Sequence, residues 1–201
     1  AHVPSSSAIQ QLWTPCTGHP IRPDMLDVDR LLARHLARAW PAFFQRFGRL
    51  TDVQRAAMQP ILDGRNVLVS SATASGKTEA ACAPLAERLI RRPRGGTILY
   101  VSPTRALVND LYERLSGPLR ELAIGLIRRT GEYKDRAPNA HSVLLTTPES
   151  FDSLLCRGRT RTGHRLADVQ AVVLDEVHLL YGTARGEQLR WLLQRLLLLQ
   201  P

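Results

Sequence analysis

Ser71-Ala72-Thr73-Ala74-Ser75-Gly76-Lys77-Thr78 closes the apolar run 66–71 and opens a stretch with helical spacing. A strand, a turn of small residues and a helix starting Gly-Lys-Thr let consecutive backbone N–H groups face phosphate oxygens. In that arrangement Lys77 reaches the terminal phosphates and Thr78 holds Mg²⁺. A second apolar run, 171–174, ends at Asp175-Glu176-Val177-His178. Asp175 can fix the magnesium there, usually through water, and Glu176 can polarise an attacking water. Together the two stretches predict a nucleoside triphosphatase site. Ser71 stands where the full phosphate-loop pattern has glycine, and Gly76 is the loop's single glycine. The expectation therefore rests on strand-loop-helix context as much as on the letters.

Outward from the loop, the pattern alternates. The run 66–71 reads as a buried strand, 77–91 as a helix, 97–102 as a strand and 104–116 as a helix. Strands at 124–129 and 142–146 follow, then a helix at 148–156, a buried strand at 169–175 and a helix at 184–199. Such alternation predicts an α/β domain with a mostly parallel central sheet and helices on both faces. Ligands in such sheets sit beyond the carboxyl ends of the strands, where both quoted stretches fall. Ahead of the loop, residues 27–64 read as a helical lead-in. Asp27 is a plausible cap for a helix carrying Leu31, Leu32, His35, Leu36 and Ala39 on one face until Pro41. Thr51 then caps a short helix with Val53, Ala56, Ala57 and Ile61 as its buried stripe. Residues 1–26, rich in Pro and Ser and without a period, read as an irregular arm.

The chain has 201 residues, enough for one domain with a full core, and a formal charge of +9. That charge suits a polyanionic partner, since Lys and Arg neutralise phosphates and release counterions. Lys77 and Lys134 are the only lysines, however, and a wholesale arginine bias also follows from coding preference. The densest basic cluster, Arg157, Arg159, Arg161 and Arg165, reads as a solvated loop. No apolar run approaches the roughly 20 residues that span a bilayer, and no leader pattern opens the chain. A soluble, cytoplasmic protein without a membrane partner is expected. Cys16, Cys82 and Cys156 lack the paired spacing of a zinc site or disulfide framework, and are expected as free thiols with Cys82 and Cys156 buried on helices.

Across nearly all of 40–200 these residues resemble superfamily 2 helicases. Gln54, in Leu50-Thr51-Asp52-Val53-Gln54, sits ahead of the loop where such proteins place a glutamine that reads adenine. A Gln amide can accept from and donate to that edge. Ser102-Pro103-Thr104-Arg105-Ala106-Leu107 resembles motif Ia, and Thr130-Gly131-Glu132 resembles the turn that follows it. Thr146-Thr147-Pro148-Glu149-Ser150 resembles the next backbone-gripping motif, and Asp175-Glu176-Val177-His178 is a DEVH form of motif II. The resemblance implies a RecA-like P-loop NTPase lobe using ATP and Mg²⁺. Ser71, Ala72, Thr73, Ala74, Ser75, Gly76, Lys77, Thr78 and Gln54 would hold the nucleotide, and Thr78 and Asp175 the metal. Lys77, Asp175 and Glu176 would act in hydrolysis, with His178 coupling the nucleotide site to strand movement. Pro103, Thr104, Arg105, Thr130, Gly131, Thr147, Pro148 and Glu149 would grip a single strand by its phosphates, which suits hydroxyls and helix N-termini at strand ends.

Three further stretches resemble the Lhr-type (large helicase-related) branch, whose members act on DNA. They are Trp40-Pro41-Ala42-Phe43-Phe44-Gln45-Arg46-Phe47-Gly48, Pro103-Thr104-Arg105-Ala106-Leu107-Val108-Asn109-Asp110, and Asp175 through Gly186. Ala74 stands where many relatives have Gly, and Thr73-Ala74-Ser75 also resembles a DNA-repair helicase branch. DNA, translocated 3′ to 5′, is the expected partner, with an RNA helicase lobe or a non-catalytic nucleic-acid scaffold as alternatives. Only the first of two RecA-like lobes is recognisable. The resemblance thus implies a second lobe in a longer polypeptide, bringing an arginine worth roughly 10³–10⁵ in rate.

Overall fold

The computed structural model describes residues 25–45, 49–133, 140–156 and 166–200. The expected arm 1–26 falls outside them except for Met25 and Leu26, which belong to a helix. Lys134 and the four-arginine cluster at 157–165 also lie outside the described residues.

Helix α1 (Met25–His35) buries Leu32, with Leu36 just beyond it, while Leu31 and His35 stay at the surface. The apolar stripe is therefore narrower than the expected face. Pro41 does not end this helix. The chain turns at 36–38 and restarts as α2 (Ala39–Phe44), with Pro41 in its first turn, where no intrahelical partner awaits its missing N–H. Helix α3 (Asp52–Leu62) starts as expected at Thr51. The Thr51 hydroxyl accepts from the Gln54 N–H at 3.3 Å and the Gln54 side-chain oxygen accepts from the Thr51 N–H at 2.9 Å, a closed capping box. Helix α4 (Lys77–Ile90) follows the loop directly.

Strands β1 (Gly96–Val101), β2 (Gly125–Arg129), β3 (His141–Thr146) and β4 (Val169–Leu174) form one sheet in the order β2-β3-β1-β4, with every pairing parallel. Helix α5 (Arg105–Glu121) connects β1 to β2. Helix α6 (Pro148–Cys156) follows β3, and α7 (Ala184–Leu197) follows β4 after a 3-10 turn, Val177–Leu179. Side chains alternate across the sheet and feed two cores. Ile98, Tyr100, Val143 and Leu145 meet Leu36, Phe44, Met58 and Leu89 under α1–α5. Leu99, Val101 and Leu144 meet Phe151, Leu155, Leu189 and Leu192 under α6 and α7. Helices thus cover both faces, as expected. No described helix is long and apolar enough to cross a membrane.

Three expectations fail. The run 66–71 is no strand: among the described residues nothing pairs with it, and Leu68 is 71% exposed. Apolar composition makes a strand only where a neighbour completes the ladder. Nor is β4 buried. It is the edge of the described sheet, with Val172 and Leu174 more than a third exposed. Cys156, in the last turn of α6, is exposed, whereas Cys82 is buried and burial pushes its thiol well above the usual range.

The lead-in is locked to α4 by Glu87, 1% exposed. Its carboxylate accepts from the Arg38 and Ala39 N–H groups at 3.0 and 2.8 Å, satisfying the start of α2, and pairs with Arg91 at 3.0 Å. Glu87→Ala should lower unfolding stability by about 3 kcal/mol in urea titration, because two backbone donors, the Ala39 N–H buried and the Arg38 N–H part-buried, and a guanidinium lose their acceptor. Native-state alkylation should label Cys156 and spare Cys82.

Candidate nucleotide site and adjoining cleft

The loop 71–76 is held from behind by α3. The Thr51 hydroxyl donates to the Ser75 carbonyl at 2.8 Å, and Gln54 Nε2 donates to the Gly76 carbonyl at 3.4 Å. Gly76 has φ +84°, and a Cβ there would overlap Gln54 Nε2, so the residue must be glycine on two counts. Gln54 is buried, and among the described residues one amide N–H and one oxygen lone pair are uncommitted, the donor-acceptor pair that an adenine edge takes. The Lys77 ammonium folds back onto the loop, donating to the Ser71 and Ala72 carbonyls at 2.9 and 2.8 Å. Ser71 and Ser75 hydroxyls meet at 2.6 Å across the loop mouth.

The acidic pair lies within electrostatic reach of Lys77. Asp175 is the first residue past β4, and its N–H donates to the Val101 carbonyl at 2.9 Å. Burial and the adjacent Glu176 charge hold the Asp175 carboxyl above its ordinary value, opposed by the Ser102 hydroxyl, the Glu176 N–H and the Lys77 ammonium. Burial strongly disfavours ionisation of the Tyr100 phenol, an effect the neighbouring Thr78 hydroxyl partly offsets. The Thr78 hydroxyl and Asp175 carboxylate are hard oxygen donors of the kind Mg²⁺ takes alongside phosphate and water. No cluster of three potential ligands occurs among the described residues, so protein atoms alone would not saturate a cation here. Glu176 has φ +43°, a left-handed conformation unusual for glutamate, and its carboxylate lies 3.2 Å from His178 Nδ1. His178 is 68% exposed at its side chain.

Beside this site is a cleft of about 660 Å³. Pro103, Thr104, Arg105, Thr130, Gly131, Thr147 and Glu149 all line it, so three separate motifs converge on one concavity. Thr104 caps α5 through Leu107 N–H at 3.2 Å, and Thr147 accepts from the Ser150 N–H at 3.4 Å at the start of α6. Gly131 leaves room for the Arg105 guanidinium, which pairs with Glu132 at 2.9 Å. Pro148 opens α6 but is not among the lining residues. The two sites touch at Ser102, fully buried, whose hydroxyl donates to Asp175 at 3.4 Å.

The profile of the DEAD/DEAH box helicase family matches residues 51–201. The chain belongs to the DEAD/DEAH box helicase family. It is 35% identical over 176 residues to the ATP-dependent helicase Lhr-Core of Methanothermobacter thermautotrophicus, covering 77% of this chain and 20% of that protein. It is 33% identical over 139 residues to the ATP-dependent DNA helicase Hel308 of Pyrococcus abyssi, covering 68% and 18%. The solved structure of Mycobacterium smegmatis helicase Lhr, bound to ssDNA and AMP-PNP, superposes with a TM-score of 0.70 at 34% identity, covering 84% of this chain and 24% of that one. The chain therefore spans about a fifth of the length of the curated relatives it matches. Within the family it is Lhr-like, and its α/β lobe has the RecA-like helicase fold.

The cleft of this DEAD/DEAH box helicase lobe also contains residues that motif reading passed over: Arg129, Ser150, Ser153, Leu154 and Arg185. Arg129 was legible as the last residue of a strand ending beside Thr130. Arg185 lay inside a stretch quoted only for its family likeness. Ala74 has φ +58°. A left-handed alanine or glutamate costs about 1–2 kcal/mol, and a glycine gives back about 0.5–1 kcal/mol through its freer unfolded chain. Ala74→Gly and Glu176→Gly should therefore each raise stability by roughly 0.5–1 kcal/mol in equilibrium unfolding.

Proposed function

We propose that this lobe binds ATP with Mg²⁺ in the loop 71–78 and a single strand of nucleic acid in the adjoining cleft. ATP hydrolysis would take place against a second RecA-like lobe, driving 3′ to 5′ translocation on DNA in the cytoplasm. The observation that carries the reading is the meeting of the two sites at Ser102, one residue from the cleft and in contact with Asp175. Magnesium, held by Thr78 and Asp175, would neutralise charge on the phosphates. Every other role falls to this chain's own side chains. Lys77 leaves the Ser71 and Ala72 carbonyls to meet the terminal phosphates, and the loop N–H groups face the remaining oxygens. Gln54 meets the adenine edge with its free donor and acceptor. Glu176 orients the attacking water and takes its proton. The hydroxyls of Thr104, Thr130 and Thr147 and the N-termini of α5 and α6 face the strand's phosphates.

DNA is favoured over RNA because the Hel308 relative is named a DNA helicase and the Lhr structure contains ssDNA. Equal or greater stimulation by RNA would reverse that preference. A non-catalytic scaffold is disfavoured by the joint presence of Lys77, Thr78, Asp175 and Glu176, with the Lys77 ammonium close enough to act on the Asp175 carboxylate.

ATP turnover by the full-length protein, with and without single-stranded DNA, tests the proposal. Lys77→Ala should reduce stimulated turnover by roughly 10²–10³, the effect of losing one preorganised donor to a developing anion. Glu176→Gln should reduce it by roughly 10²–10⁴ while ATP still binds, as loss of a general base requires. Full turnover in either variant removes the assigned role. The isolated lobe should hydrolyse ATP slowly or not at all for want of the opposing arginine. Brisk DNA-stimulated turnover by the lobe alone would contradict this.

A further inference from the structure

Arg185 occupies the first turn of α7, ten residues after Asp175, and its guanidinium bridges two of the three turns that line the cleft. Its Nε donates to the Glu149 carboxylate at 2.7 Å and a terminal nitrogen donates to the Pro103 carbonyl at 2.6 Å. The fork geometry of arginine permits both contacts at once. Gly186 makes this placement possible, since a Cβ there would overlap the Leu180 carbonyl and push the first turn of α7 away. Thr183 fixes the same turn by accepting from the Gly186 N–H at 3.1 Å and donating to the Leu180 carbonyl at 2.7 Å. The segment behind the acidic pair is thus tied to the cleft by built contacts.

Pro103 is the next residue after Ser102, whose hydroxyl holds Asp175. The dipeptide Ser102-Pro103 therefore makes one hydrogen bond toward each site, the Ser102 hydroxyl to Asp175 and the Pro103 carbonyl from Arg185. Glu149 has a second consequence. Burial works against its charge, yet hydrogen bonds from Arg185, its own backbone and Thr147 hold its carboxyl below the ordinary value, so it stays ionised in a cleft meant for phosphates. Among the cleft-lining residues it is the sole carboxylate, set against Arg105, Arg129 and Arg185.

Building on the proposed reading of this cleft, we propose that Arg185 is the positioning residue through which nucleic acid stimulates hydrolysis, masking Glu149 from the strand and holding Pro103 where Ser102 meets Asp175. His178, expected to couple the nucleotide site to strand movement, is exposed and contacts Glu176 among the described hydrogen-bond and ion-pair partners.

The test measures ATP turnover by the full-length protein against a single-stranded deoxythymidine oligomer, with thermal melting as a fold control. Arg185→Gln should raise the apparent constant for the oligomer about tenfold and lower the stimulated kcat, with KM for ATP within about twofold of wild type, since a lost charge-assisted pair leaves a bare carboxylate facing phosphates. Arg185→Lys restores the charge without the fork. It should recover the oligomer constant to within about threefold while the stimulated kcat stays low. Adding Glu149→Gln to Arg185→Gln should recover the constant alone, because repulsion is removed and the Pro103 contact is still missing. An unchanged constant and kcat in Arg185→Gln overturns the inference. So does full stimulated kcat in Arg185→Lys, which decides the matter should the glutamine variant fail to fold. A wild type without stimulation by the oligomer would instead overturn the proposed reading of the cleft, and the inference with it.

Discussion

Register among the four parallel strands is the constraint on which both sites depend. Val101 pairs with Thr146 on one side and Leu174 on the other, and Arg129 pairs with Thr146 in turn. All four strands therefore end at one level, and the next residue of each, Ser102, Thr147, Asp175 and Thr130, emerges in a row. Parallel pairing has no hairpins to set this alignment; it comes from ladder bonds and from side chains that alternate between two cores. A one-residue slip of β1 would turn Tyr100 and Ile98 into the wrong core and carry Ser102 away from Asp175. The sheet's register thus sets where Ser102, Thr130, Thr147 and Asp175 emerge.

Sequence reading captured what local chemistry determines. Thr51 caps the helix expected of it, the Gly-Lys-Thr helix starts at Lys77, and the three cleft-lining motifs converge because each follows a strand. It failed where the answer depends on a neighbour. The run 66–71 has strand composition but no ladder partner among the described residues, and β4 has one partner where a buried strand needs two. Arg185 was invisible as a function because its partners, Pro103 and Glu149, are 82 and 36 residues away. A motif is local, whereas a salt bridge across a cleft is a property of the fold. Pro41 misled in the other direction, since it marks a helix start as readily as a helix end.

The helical lead-in serves the nucleotide site through rigid attachment. Glu87 caps α2 from the last turn of α4, and Gln54 and Thr51 hold the loop from which α4 starts. The phosphate loop is therefore braced at both ends of one helix by residues that precede it in the chain. A buried carboxylate in this role stabilises the fold less through its charge than through the two backbone donors it satisfies.

Around the loop the resting arrangement is satisfied yet poised. Lys77 spends its protons on two carbonyls of its own loop, so an incoming phosphate replaces existing hydrogen bonds rather than filling a vacuum. The net gain is the difference between a neutral acceptor and an anion, which favours the anion because charge-assisted bonds are about twice as strong. Strain sits at the same two places: Ala74 in the loop and Glu176 in the acidic pair are both left-handed without being glycine. Such conformations persist only where surrounding contacts over-determine them. Ser75 and Gly76 are held by α3 on one side of Ala74, and the Asp175 N–H by Val101 on one side of Glu176. The lobe thus keeps Ala74 and Glu176 in geometries that relaxed chains avoid, anchored by hydrogen bonds of the neighbouring backbone.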